Sequence, residues 1–449
     1  RDVIAYEEKD PACRNALQTI YPRFGLHPLI QQLVQPSQRA GSTVWPYPTE
    51  AAARAALAHC QRQAPESRSE LIAVAGVTCL RSDATASPHA KAFWQHTGLG
   101  FSSRQAAIAL QQEPRPNAES GDAARGTLQE RLGNMHGVSS SRVSLHPAGM
   151  AALHTALQAV QAIRPGRATL QLGFPYVDVL KQPQVVFHGG DLLQGENLAD
   201  VEAALDRLEP AAVIVELPSN PLLRCVNLPA VCDLAHARGI PVIADDTIGT
   251  AINLDALPHT DLIFTSLTKS FAGRGDVMAG SLVVSPHSPW SDQLLAAVNP
   301  AAVLSDADAI ALEQASRDVA QRVLQLDRHC LALADQLQQH PSIEQVLHPS
   351  SCPNFRALMR PKAGHGCLLS FTLKGGEAQA QRVYDALRVS KGPSLGTSFT
   401  LACPYTQLAH YDELAWAARC GVPSHLLRVS VGLEDPSDLW QRFEIALQA

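Results

Sequence analysis

Among the residues able to do covalent chemistry, one lysine stands out by its setting. Lys269 follows a short apolar run, 262–265, and sits in Ser266-Leu267-Thr268-Lys269-Ser270-Phe271-Ala272-Gly273, flanked by hydroxyls and trailed by a glycine-rich turn. In an open α/β sheet, ligands bind beyond the carboxyl ends of the strands. An amine there can form a Schiff base if its surroundings free it of its proton. Ser266 and Thr268 would offer hydroxyls to a phosphate; the plainer reading is a surface lysine at a strand end. Asp245 and Asp246 close a second apolar run, 242–245. A carboxylate there can keep a pyridine nitrogen protonated, or merely cap a turn. Gly149 and Met150, after His146-Pro147-Ala148, open a helical pattern running to 163, and their N–H groups would face an anion at a helix start. Phosphate cradle, ring-nitrogen partner and amine together describe a site for pyridoxal phosphate.

The elements that would position these groups follow from the apolar pattern. Runs at 168–172, 184–187, 212–216, 242–245, 262–265 and 281–284 are almost continuously hydrophobic, as strands buried on both faces require. Helical stretches at 150–163, 199–208 and 229–238 lie between them. The pattern predicts a mostly parallel, doubly wound α/β domain. Past Pro300, a long helix is expected from the Ser305 cap to about 339, where Pro341 stops it. A smaller α+β unit follows, with strands at 367–373 and 427–431 and helices at 377–387 and 436–447. Three segments result: an extension, 1–95; a large α/β domain, 96–300; and a linking helix with a small C-terminal domain, 301–449. Within the extension, 36–48 reads as irregular chain and 51–62 as a helix; in the large domain, 113–124 has loop composition.

Composition narrows the class. The chain has 449 residues, a net charge of −6 and 46% hydrophobic residues, enough for a large core and without the basic excess of a nucleic-acid binder. Only 17% of residues are charged, against roughly 25% in average domains, which hints at surface covered by subunit contacts. No apolar run approaches a membrane span, and the opening residues lack the apolar core of a secretory signal. The ten cysteines contain no Cys-x-x-Cys pair and read as reduced thiols of a cytoplasmic protein. The histidines form no metal-binding helix pair, so no metal is expected. Gly98-Leu99-Gly100 does not continue into a dinucleotide fingerprint.

These motifs resemble those of the pyridoxal phosphate enzymes of transsulfuration, which have the aspartate-aminotransferase fold type (fold type I). Ser266-Leu267-Thr268-Lys269 with Asp276-Val277-Met278-Ala279-Gly280 is similar to the family's Ser-Ala-Thr-Lys…Ser-Asp-Val-Met-Ala-Gly. Glu216-Leu217-Pro218-Ser219-Asn220-Pro221, Asp245-Asp246-Thr247 and Gly149-Met150-Ala151-Ala152 match further family motifs, as do Ser394-Leu395-Gly396 and residues 427–435. The likeness covers about 95–449. The stretches at 173–178, 394–400 and 402–406, with Tyr21-Pro22-Arg23-Phe24 and His27-Pro28, resemble the fungal-type cystathionine γ-synthases.

The resemblance implies that Lys269 carries the cofactor, Asn220 meets its phenolic oxygen, and Ser394 and Arg428 bind substrate, Arg428 by its α-carboxylate. By themselves, Asn220 reads as a turn residue and Arg428 as an edge-strand surface charge. The family's ring-stacking tyrosine falls at Phe174 or Tyr176. Its phosphate contact from a neighbouring subunit appears only as Arg104, otherwise a loop arginine. Phe399 stands where some relatives carry an acid for the substrate's distal amine. The implied activity is γ-replacement on an activated homoserine with a thiol such as cysteine, by a homotetramer with a dimer as minimum, acting on small amino acids. A γ- or β-lyase releasing ammonia and a 2-oxo acid is the near alternative, and a non-catalytic binding protein the distant one.

Overall fold

The computed structural model describes residues 2–21 and 24–449; Arg1 and the Pro22-Arg23 pair of the leader motif lie outside the described residues. Three sheets organise the chain. The first holds β1 (Ser42–Pro46), β2 (Ser69–Val74) and β3 (Val77–Asp83) in antiparallel order β1-β3-β2. Its core, with Trp45, Trp94 and Leu80, includes Ala151 of the helix Gly149–Ile163, so it is continuous with the large α/β domain. The helix Ser87–Thr97 runs through the 95/96 position and joins the leading segment to that domain.

The second sheet is the scaffold of the site. It contains β4 (Val143–His146), β5 (Thr169–Leu172), β6 (Gly190–Leu193), β7 (Val213–Glu216), β8 (Val242–Asp245), β9 (Leu262–Thr265) and β10 (Gly280–Val284) in the order β4-β10-β9-β8-β7-β5-β6. The ladders β6-β5-β7-β8-β9 are parallel, and β10 runs antiparallel to both its neighbours. Strands β7, β8 and β9 are buried along their whole length, which is why their runs are uninterrupted. The third sheet, β11 (Ile343–Leu347), β12 (Leu368–Leu373), β13 (Ser390–Lys391), β14 (Leu401–Pro404) and β15 (Leu427–Ser430), has the order β11-β12-β15-β14-β13. Its apolar face packs on the helices Val319–Gln339, Gly376–Ala386 and Pro436–Leu447. Among the described residues, no helix is long and apolar enough to cross a membrane.

Four expectations need correction. Residues 184–187 end a helix, Val177–Val186, and form no strand; the edge strand is Gly190–Leu193. A short apolar run cannot distinguish a strand from a buried helix, and an edge strand needs no β-branched run. Residues 36–48 contain β1, bracketed by prolines at its end and beyond. The 113–124 stretch becomes helical at Ala118, where Asn117 accepts the Glu119 N–H at 3.1 Å. The helix expected from 305 to 339 is two, Asp306–Ala315 and Val319–Gln339. At the break, Ser316 Oγ donates to the Leu312 carbonyl at 2.7 Å, a local bond that competes with helix continuation.

Burial pushes His146, at the end of β4, down to about 3, and His154 to about 4. The unfolded chain titrates His146 near 6.5, so acidification protonates the unfolded state first and stability falls as pH drops below that point. The stability advantage of wild type over His146→Gln, measured by urea unfolding of the apoprotein, should therefore shrink between pH 7 and pH 5, by at most about 1.4 kcal/mol per pH unit. A pH-independent gap would contradict this.

Candidate active site

Because β7, β8 and β9 are parallel neighbours, their carboxyl ends lie side by side. Glu216 and Asp245 are register partners across β7 and β8. One strand further, β9 ends at Thr265 and leads directly into the turn carrying Lys269. Within that turn, the Lys269 N–H reaches the Ser266 carbonyl at 3.2 Å and the Gly273 N–H the Lys269 carbonyl at 2.9 Å, which fixes the side chain's origin. Its Nζ donates to Ser394 Oγ at 3.1 Å and stands 5.5 Å from the centre of the Tyr21 ring.

A cavity of about 1740 Å³ opens at this edge, and every candidate residue except Phe174 lines it. That exceeds the roughly 300–1,000 Å³ of an ordinary ligand pocket, so there is room for more than one small molecule. Asp245 is buried and accepts the Thr247 N–H at 2.9 Å; burial pushes its carboxyl up to about 6. Asp246 turns the other way, to the Thr265 hydroxyl and toward His136 at 4.0 Å, so only Asp245 faces the cavity. At the start of the helix Gly149–Ile163, the capping residue Ala148 supplies no side-chain bond, leaving the first N–H groups to an incoming anion. Gly149 permits a close crossing, since a Cβ there would lie 2.8 Å from Ser266 Cβ. Ser266 donates its backbone N–H to Thr247 Oγ1 at 2.8 Å. The Thr268 hydroxyl is already engaged, accepting the Ala279 N–H at 3.1 Å and lying 3.3 Å from that residue's carbonyl.

The small sheet closes the other side. Arg428 lies on β15, an interior strand, and is 3% exposed, which excludes an edge-strand surface charge. Its Nη1 donates to Asn220 Oδ1 at 3.0 Å, and its Nη2 reaches the carbonyls of Pro393 and Ser394. Nε is buried without a hydrogen-bond partner among the described residues. A buried guanidinium with an unused donor at a cavity wall suits a carboxylate.

The two aromatic candidates separate. Phe174 is buried against His410 and Trp416, with ring centres 5.1 and 5.3 Å away, and does not line the cavity. Tyr176 does line it, its hydroxyl donating to Asp178 Oδ2 at 2.9 Å. Gly173, at φ +80°, turns the chain as it leaves β5 and sends Phe174 into the apolar cluster. Of the two, only Tyr176 is placed to meet a ligand in this cavity. Arg104 lines the cavity and is held within its own chain by the Asp276 carbonyl and carboxylate and by Asp308 Oδ1 at 3.5 Å. Phe399 is 42% exposed and does not line the cavity. Sequence reasoning passed over Glu216, although an acid ending a buried apolar run is itself a signal; it lines the cavity too, as do Tyr21 and Tyr405.

The donor set suits a phosphorylated pyridine aldehyde: an amine, a buried carboxylate for a ring nitrogen, and an uncapped helix start. This convergence places the chain among the pyridoxal phosphate enzymes of fold type I. Comparison with known proteins narrows the class. Residues 78–448 match the family described as Cys/Met metabolism PLP-dependent enzyme, and the chain belongs to that family. It is 38% identical over 335 residues to a cystathionine gamma-synthase of Neurospora crassa, covering 70% of this chain and 54% of that one. It thus spans about half the length of that relative. An L-2-amino-4-chloropent-4-enoate dechlorinase/desaturase of Streptantibioticus cattleyicolor is 33% identical, with 99% of this chain and 94% of that one covered. Among solved structures, the cystathionine gamma synthase of Xanthomonas oryzae pv. oryzae in complex with aminoacrylate and cysteine superposes with a TM-score of 0.65 at 26% identity, covering 75% of this chain and 88% of that one.

Gly149→Ala should push the helix start away from Ser266, costing about 1–3 kcal/mol of stability and weakening cofactor uptake. Titration of the apoprotein with pyridoxal phosphate checks this, and unchanged affinity would show that the close crossing is dispensable.

Proposed function

We propose that this enzyme carries out γ-replacement on an activated homoserine, joining its γ-carbon to a thiol such as that of cysteine. The observation that carries the reading is the meeting of Lys269, Asp245 and Arg428, from two sheets, in one cavity large enough for two amino acids and a cofactor. The relatives named cystathionine gamma-synthase support the same reaction class.

Pyridoxal phosphate supplies an aldehyde that amines can join and a ring that draws electrons from the substrate's Cα. Lys269 would hold that aldehyde at rest and, once released, move protons at the substrate's Cα and Cβ. Ser394 Oγ, which accepts from Nζ, would keep the amine on the substrate side. Asp245 would hold the proton on the ring nitrogen, its negative charge favoured there by a cation. The uncapped helix start, with Ser266, would bind the phosphate. Tyr176 would face the ring and Asn220 its phenolic oxygen. Arg428 would grip the α-carboxylate in a bidentate pair, a geometry that lysine cannot reproduce. In this reading the working unit is a homotetramer, or at least a dimer, with Arg104 near the subunit boundary.

A second reading is favoured by one observation. The dechlorinase/desaturase relative matches almost the whole chain, whereas the Neurospora enzyme matches only part of its own length. Expulsion of a γ-leaving group, such as a halide, with no thiol captured would use the same residues.

Borohydride reduction of the cofactor-loaded enzyme should tag the peptide containing Lys269, and Lys269→Ala should show neither the visible cofactor band nor turnover. An untagged peptide in saturated protein, or full activity in the variant, would overturn the assignment. O-acyl-homoserine supplied with cysteine should yield the thioether amino acid; 2-oxo acid as the sole product, with or without cysteine, would decide for elimination. Arg428→Lys should lower kcat/KM by about tenfold or more, mainly through KM.

A further inference from the structure

We infer that Glu216 is a positioning residue that fastens the two loops presenting Tyr176 and Asn220 to the cofactor site. The inference rests on the pyridoxal phosphate reading and extends it to a residue outside the proposed contacts. Glu216 ends β7 and is 6% exposed. A single oxygen, Oε2, accepts the backbone N–H of Tyr176 at 3.0 Å and that of Asn220 at 2.9 Å. These donors come from separate loops, one after β5 and one after β7, that share no ladder.

Tyr176 caps the helix Val177–Val186, and its backbone N–H is directed to the Glu216 carboxyl. A buried carboxyl oxygen accepts from both donors, and either N–H left without an acceptor in this interior would be costly. Asn220 is also held through its Oδ1, by Arg428, and through its carbonyl, by the Tyr405 hydroxyl at 3.2 Å. Glu216 completes that set and ties it to Tyr176. Burial and the facing Asp245 push the Glu216 carboxyl well up, against the pull of the two N–H donors and Arg428. An acid is therefore kept at an unfavourable place, consistent with a positioning task that an apolar residue could not perform.

Three variants test this: Glu216→Gln keeps an acceptor in place, Glu216→Asp withdraws it by one methylene, and Glu216→Leu removes it. Hydrogen exchange in the apoprotein should quicken about tenfold or more at the Tyr176 and Asn220 amides in the Asp and Leu variants, and stay near wild type in Gln. Titration with pyridoxal phosphate should show about tenfold weaker uptake in the same two variants, with an altered visible circular dichroism band and rescue by Gln. Should Glu216→Leu not fold, Glu216→Asp decides. Wild-type exchange and cofactor affinity in Glu216→Asp would overturn the inference. Wild-type protein that takes up no pyridoxal phosphate would instead overturn the functional reading, while the apoprotein exchange would still report on the fastening itself.

Discussion

The site depends on one constraint of parallel pairing: neighbouring strands that run the same way must end at the same edge. Once β7, β8 and β9 are in register, an acid, a second acid and the lysine turn arrive together without any loop having to travel. The same edge buries two carboxyls next to each other, which is costly. That cost is offset locally by the N–H groups of Thr247, Tyr176 and Asn220. A cationic ring nitrogen beside Asp245 would offset more of it.

Close crossings hold the remaining pieces against this edge. Gly280, at the start of β10, leaves so little room that a Cβ would lie 2.3 Å from the Ala148 carbonyl oxygen. Gly396, at φ +74°, brings the segment bearing Ser394 onto Ser270 in the same way. Backbone packed on backbone is stiff, and it sets where the helix start and the lysine turn meet.

How far this was legible depends on where each residue sits along the chain. Lys269 and Asp245 belong to the ends of buried strands or the turns just after them, and an uninterrupted apolar run announces such a strand together with its end, whereas Arg428 lies in an alternating stretch, Leu427–Val431, whose pattern alone reads as an edge strand. The helix at Gly149 was equally visible, because one whole face repeats. Phe174 and Tyr176 were not separable, since a left-handed glycine decides which of them faces inward and spacing carries no record of that turn. The edge strands β1 and β6 escaped because a strand covered on one side needs no strong pattern. Residues 184–187 were mistaken for a strand for the complementary reason, being apolar yet helical. Glu216 was visible within its motif, but its partners are backbone groups 40 and four residues away, which only the fold brings together.

The bond between Arg428 and Asn220 links the two sheets through side chains to which the proposed reading gives different duties, one toward a substrate carboxylate and the other toward a ring oxygen. A carboxylate arriving there would compete for the same guanidinium and loosen its hold on that amide. Binding at the carboxylate position and the hydrogen bonding offered to the ring oxygen would then be coupled through this one bond. Colour changes on adding an unreactive carboxylic acid would be a direct view of this crosstalk, without any bond being made or broken.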